Sequence, residues 1–382
     1  MKNYILAYSM DRDVVFKGKT EVARTTIQGN IILLCLFAIQ ISAVYLTMWS
    51  QDLLSHFKPS LYGNILFLSL FVVVFVKGIS YALMHYSYDD GERGLSRVKS
   101  DFLSSWLTVD YMAAFLLPMI LLPTFLSLYS SMKSIIHLVQ PFYLDEFLMR
   151  ADRFIHFGVD PWRITHSIFG TAIASVVLNF IYNLWFFIMY SYVLWMIVNV
   201  RFGRDRMQFL FAFVIIWPLI GSLIAVGLSS AGPVYYGDVV GDSSIFGPLM
   251  EALKQYNGQF KDSPFGIFAL NTQDMLWADY LKNDTNIGSG ISAMPSMHVA
   301  IATLLYLSGR QVSKYIGYGM LVFLILIQIG SVHLGWHYAL DGYLSILLTW
   351  AIWKFCGWMV DRIYGEEDSS ATDNALGNQS DL

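Results

Sequence analysis

"TAIASVVLNFIYNLWFFIMYSYVLWMIVN", residues 171–199, contains no Asp, Glu, Lys or Arg. A helix needs about 20 apolar residues to cross the roughly 30 Å hydrocarbon core of a bilayer, and this run exceeds that length. Seven further stretches read the same way: residues 27–49, 62–84, 106–130, 208–228, 296–309, 315–331 and 337–360. The stretch 296–309 is short; it either begins in the preceding loop or lies deep in the bundle. Composition agrees with this reading. The 382 residues are 56% hydrophobic and 14% charged, against about 25% charged in soluble domains. The expected fold class is all-α: a polytopic transmembrane helix bundle of about eight spans.

The formal net charge is −4, and no basic block marks nucleic acid as a partner. Cys35 and Cys356 lie in separate apolar stretches, so they form neither a disulfide framework nor a metal-ligand cluster. The first 26 residues are polar and charged, unlike a cleavable signal, and the first apolar segment is expected to remain as an anchor. Lys and Arg in the loops set the orientation. With the N-terminus cytoplasmic, sixteen of the 24 basic residues fall inside. The other eight fall outside: Lys58, Lys133, Arg150, Arg153, Arg163, Lys254, Lys261 and Lys282. Both termini are therefore expected in the cytoplasm.

Residues 131–170 alternate aromatics and leucines with charges at helical spacing, as in a helix lying in the membrane interface. Residues 229–292, rich in Gly, Ser, Asp and Asn, read as a folded extracytoplasmic loop. Three regions follow. Residues 1–130 hold three spans, 131–364 form the main membrane domain, and 365–382 are a polar cytoplasmic tail expected to be disordered.

Polar residues stand at two outer mouths. "SAMPSMHVA", residues 292–300, opens the short span, and "GSVHLGWHYALDG", residues 330–342, joins the last two. His337 and Asp341 are four apart, so on a helix they share a face. An aspartate within an apolar span is by default a functional candidate. Beside a carboxylate, an imidazole gains basicity and a fixed tautomer, and can present a nucleophilic nitrogen. Pro295 suits a first helical turn, whose free amides and positive dipole end favour an anion. Ser296 adds a hydroxyl there, and His298 could donate a proton to a leaving oxygen. Two imidazoles, a carboxylate and an anion cradle at one membrane face suit phosphoryl transfer through a phosphohistidine. His56, His85, His137, His156 and His166 read as structural. His333, His337 and Asp341 recur every four residues, which also permits three metal ligands on one helix face, although one straight helix rarely wraps a metal.

These residues resemble a known pattern. "MPSMHVA", residues 294–300, resembles the second signature, Pro-Ser-x-His, of the type-2 phosphatidate phosphatase superfamily. Residues 330–342 resemble its third, which ends His-x-x-x-Asp. "SSAGPVYY", residues 229–236, is similar to an element of the branch that contains inositol phosphorylceramide synthase. "RADRFIHFGVDPW", residues 150–162, is similar to that branch's interfacial segment. The resemblance covers roughly residues 140–360. It implies a catalytic domain over 131–364, with His337 as nucleophile and Asp341 as the carboxylate orienting it. His298 is implied as acid for the leaving alcohol, then base for water or an acceptor hydroxyl. The resemblance implies no metal or other cofactor.

The chain also departs from that pattern. It has no Arg-Pro pair, so the first signature and its cationic clamp are missing. Gly330 and Ser331 stand where Ser-Arg is usual, and Met297 where Gly is usual. The synthase-like branch also lacks the first signature. Candidates to hold the phosphate are Ser296 with the helix-start amides, Ser331, His333, and one of Arg150, Arg153, Arg163 or Lys282. Gly335 beside Trp336 is expected to let a headgroup reach His337. Trp336, Tyr338, Tyr235 and Tyr236 are assigned to an interfacial aromatic belt.

The expected function is cleavage or transfer of a phosphoryl group of a lipid phosphate or phosphodiester at the extracytoplasmic face. The partners are that lipid and the bilayer; no oligomeric state is read from the sequence. One phosphohistidine serves water or an alcohol as acceptor, and the missing clamp tilts the reading toward a transferase. The alternative is a transporter or lipid-binding scaffold with a vestigial site. Ionisable groups gathered at one face rather than the midplane argue against a transporter.

Overall fold

The computed structural model describes residues 12–86, 109–199, 203–260 and 265–377. The charges counted at Lys2, Arg93, Arg97, Lys99, Arg201 and Lys261 lie outside the described residues, as do the side chains of Lys77 and His85.

All eight expected stretches are helical over most of their described residues. The chain begins with α1 (Arg12–Ser50), α2 (Gly63–Tyr86) and α3 (Val109–Val139). Two short amphipathic helices follow, α4 (Asp145–Ile155) and α5 (Pro161–Phe169), then the rods α6 (Ala172–Val198) and α7 (Gly203–Pro218). A π-helical turn, Leu219–Ile224, prolongs α7. A cap carries α8 (Gly247–Gly258) and α9 (Phe268–Lys282), and the bundle closes with α10 (Met297–Val312), α11 (Lys314–His333) and α12 (Ala339–Gly377). The described residues contain no strand.

Among the described residues, six helices are long and apolar enough to cross a membrane: Ile27–Ser50, Ala114–Val139, Ala172–Val198, Gly203–Gly227, Lys314–His333 and Ala339–Ile363. This is an integral membrane protein. α10 falls short of that criterion for a physical reason. Val299, Ala300, Ile301, Ala302, Leu304 and Leu305 are all buried, in contact with α7, α11 and α12. Protein surrounds this helix, so it has no lipid thickness to match.

Capping fixes several starts. The Thr171 hydroxyl accepts from the Ala174 amide at 3.2 Å to begin α6, and the Ser313 hydroxyl accepts from the Tyr315 amide at 3.3 Å to begin α11. Each such cap stabilises by about 1 kcal/mol.

The structure corrects three expectations about the elements. α3 continues to Val139, so residues 131–139 belong to a span and not to the interfacial segment. Leu128, Met132 and Ile135 keep helical spacing beyond residue 130 and pack with Val44 and Met48 of α1. α12 begins at Ala339, so His337 lies in the turn before it and does not share a helix face with Asp341. Its backbone stays helical to Gly377, past Tyr364, where the tail was expected to lose structure. Two short amphipathic helices do form over 145–169. α4 buries Leu148 and Met149 and exposes Phe147 and Phe154.

Candidate active site

A cavity of about 600 Å³ lies within the bundle. Tyr62 at the start of α2, Met297 and His298 at the start of α10, and His337 before α12 all line it. Tyr129, Ser130 and Lys133 of α3 line it too. From there the cavity runs along α6 from Tyr182 to Leu194, about 18 Å at 1.5 Å per residue. No Asp or Glu lines it, and Lys133 is the only Lys or Arg that does so among the described residues.

His337 is held through one nitrogen. Its Nδ1 lies 2.8 Å from the Ala293 carbonyl oxygen and 3.2 Å from Asp341 Oδ2. Both neighbours are acceptors, so Nδ1 carries the proton and Nε2 keeps its lone pair. Asp341 is fully buried, and its Oδ2 also accepts from the Tyr338 amide at 3.0 Å. The Asp341 carbonyl accepts from the Ser296 amide at 3.3 Å, which ties the two polar motifs together. The His298 ring stacks on Tyr182 at 4.4 Å and lies tilted against Trp185 at 4.3 Å. Trp185 Nε1 donates to the His298 carbonyl at 2.9 Å. Tyr182 in turn faces Trp336 at 6.4 Å.

Buried carboxylates of α4 support this frame. Asp145 accepts from the Ala231 and Gly232 amides, both at 2.8 Å, and from the Tyr338 hydroxyl at 2.9 Å. Burial raises its pKa, and these donors pull it back. Asp152 accepts from the Ala339 and Leu340 amides at 2.8 and 3.1 Å, so it caps α12 from another helix. Burial pushes its carboxyl up to about 6, against the opposing pull of the Ala339 amide. Sequence reasoning did not single out either aspartate; the signal available was an acid at each end of one face of an amphipathic helix.

The candidate residues divide in two. His298 and His337 share the cavity, with Asp341 bonded behind His337. Ser296, Ser331, His333 and Gly335 do not line it. The Ser296 hydroxyl is the α10 cap, accepting from the Val299 amide, while the amides of Met297 and His298 meet no acceptor among the described residues. Ser331 donates its hydroxyl to the Gln328 carbonyl at 2.8 Å, and its own carbonyl takes the amides of Trp336 and His337. His333 turns to Ser175, 2.8 Å away, and stacks on His166 at 4.0 Å. It ends α11 while Asp341 sits in α12, so the proposed single-face ligand set does not form. Gly335 has φ +75°, and an added Cβ would meet Leu249 and Met250 of α8 at 3.3 and 3.4 Å. Its close approach is to the cap. Tyr235, Tyr236 and Tyr338 are buried, so they are not an interfacial belt.

The outer arginines are already paired: Arg150 with Glu146, and Arg153 and Arg163 with Asp160. Neither they nor Lys282 line the cavity. Lys133, counted in the sequence as a loop residue, lines it instead. The helical phase of Leu128, Met132 and Ile135 is the sequence signal that places it within a span, where a cation is a functional candidate.

A family model described as PAP2 superfamily matches residues 146–355, more than half of the chain. The chain belongs to the PAP2 superfamily. No curated protein and no solved structure matches it. Membership supports phosphatase- or phosphotransferase-type activity. The PAP2 match runs from α4 into α12 and contains His298, His337 and Asp341. It leaves out α1, α2 and α3, yet α2, α3 and the residue before α2 supply Leu68, Val72, Tyr129, Lys133 and Tyr62 to the cavity.

Proposed function

We propose that this protein is a lipid phosphatase or phosphotransferase that works through a phosphohistidine on His337 at the extracytoplasmic face. One observation carries the reading: a single cavity joins both imidazoles to an apolar trough. Leu68, Phe186 and Phe187 line that trough and are also exposed on the outside of the bundle, where lipid lies. A phosphate attached to an apolar tail fits this shape.

The chemistry follows from the nitrogen left free. His337 Nε2 attacks phosphorus, the bond to the leaving alcohol breaks, and His298 gives that oxygen its proton. Neutral His298 then takes a proton from water or an acceptor hydroxyl. That oxygen attacks phosphorus, the P–N bond breaks, and His337 is regenerated. Asp341 keeps the proton on Nδ1 throughout and stabilises positive charge on the ring. The absent Arg-Pro clamp and the "SSAGPVYY" element support the inositol phosphorylceramide synthase-like branch, in which an alcohol is the acceptor.

The test uses full-length protein in vesicles with lipids labelled at phosphorus, with and without inositol or glycerol. The expected result is an acid-labile, alkali-stable phosphoprotein that is absent from His337→Ala. An unlabelled wild type, or label that persists in His337→Ala, defeats the reading and leaves a lipid-binding or transport role. Release of inorganic phosphate alone excludes obligate transfer to an alcohol.

A further inference from the structure

We propose that Lys133 is the cation that binds the substrate's phosphate, supplied by a helix outside the PAP2-matched region. This rests on the function proposed above and names the group that takes the place of the missing clamp. Lys133 lines the same cavity as His298 and His337, and among the described residues no carboxylate lines it. Among the described residues, no hydrogen bond or ion pair engages its ammonium group. An ammonium in a largely apolar cavity without a counter-charge is unfavourable, and a bound phosphate is the counter-charge that corrects this. The other cations considered from the sequence are paired elsewhere or lie away from the cavity.

The surroundings hold this turn of α3 in place. Gly290 of the loop before α10 has φ +96°, and an added Cβ would fall 2.5 Å from the Lys133 carbonyl oxygen. Ser134 Oγ lies 2.8 Å from Thr285 Oγ1. The Ser131 hydroxyl accepts from the Lys58 amide at 3.1 Å, and Tyr62 and Ser130 hydroxyls meet at 3.1 Å. The lysine thus springs from a backbone clasped by the cap loop on one side and the start of α2 on the other. A lysine is a point charge without the fixed fork of arginine, so it accommodates a phosphomonoester or a phosphodiester equally.

The test is calorimetric titration of full-length protein in detergent with tungstate, a tetrahedral dianion of phosphate's shape. Lys133→Gln should weaken tungstate binding by about tenfold or more, the range expected for losing a charge-assisted contact, and reduce its salt dependence. Lys133→Arg should retain binding within a few-fold, and so should His337→Ala, which cannot form the phosphoprotein. If Lys133→Gln unfolds early in a thermal melt, Lys133→Met takes its place in the same titration. Unchanged affinity in the uncharged variant, or no tungstate binding by the wild type, overturns the proposal. Lys133-dependent tungstate binding in a protein that forms no phosphoprotein would retain the anion site and reject only the catalytic reading.

Discussion

At His337, a carbonyl 2.8 Å away and a carboxylate 3.2 Å away decide which nitrogen is free. Asp341→Asn keeps the volume but can turn an amide N–H toward Nδ1, which disfavours the tautomer with Nε2 free. We expect kcat to fall by about 10² to 10⁴-fold with KM nearly unchanged; steady-state kinetics on the lipid substrate check this. Ser296 behaves differently because its hydroxyl is spent on the Val299 amide. Ser296→Ala should lower stability by about 1 kcal/mol, visible in thermal unfolding, without abolishing the phosphoprotein. The motif residues His298, His337 and Asp341 were legible in the sequence because histidine and aspartate beside apolar runs stand out. The separate fate of Ser331 and His333 was not legible. It depends on where α11 ends and the turn begins, and a helix boundary at that precision is set by tertiary contacts with Ser175 and His166.

Helix α4 acts as a strut, with Asp145 holding the "SSAGPVYY" loop and Tyr338 while Asp152 caps α12. Asp145→Ala would leave two amides and a hydroxyl without their buried acceptor, a loss of about 3 kcal/mol or more, read as a lower unfolding midpoint. Asp152 makes a pH prediction. Its carboxyl is pushed from 3.8 up to about 6, so the folded protein holds that proton more tightly than the unfolded chain. The stability contribution of this group is therefore greatest below about 4 and declines as pH rises toward about 6. Asp152→Asn should flatten the slope of unfolding midpoint against pH across that window; an unchanged slope contradicts the assignment. The amphipathic pattern of α4 announced an interfacial helix. It did not announce two buried acids, because their amide donors lie on segments far along the chain.

For the bundle as a whole, hydropathy located the apolar helices of the described residues, since a lipid-facing span answers to bilayer thickness. It placed the end of α3 too early, at 130, because the turn carrying Ser130, Ser131, Lys133 and Ser134 looks like a loop when its partners in the cap are unseen. That misplacement hid the role of the second and third spans as a wall of the cavity. The wall makes a selectivity prediction. Val72→Trp fills part of the trough and should discriminate against long acyl chains, by about fourfold in kcat/KM per methylene displaced, and spare a short-chain substrate. A chain-length series measures it, and equal losses across the series would refute it. The strut also has a consequence for how the protein comes to exist. The Tyr338 hydroxyl that donates to Asp145 is encoded 193 residues later. At about 5–20 residues per second, a ribosome takes roughly ten to forty seconds to reach it. Throughout that interval the nascent chain carries an acid whose final donor has not been made. A product released before Tyr338 can never complete the knot, which marks it out for quality control.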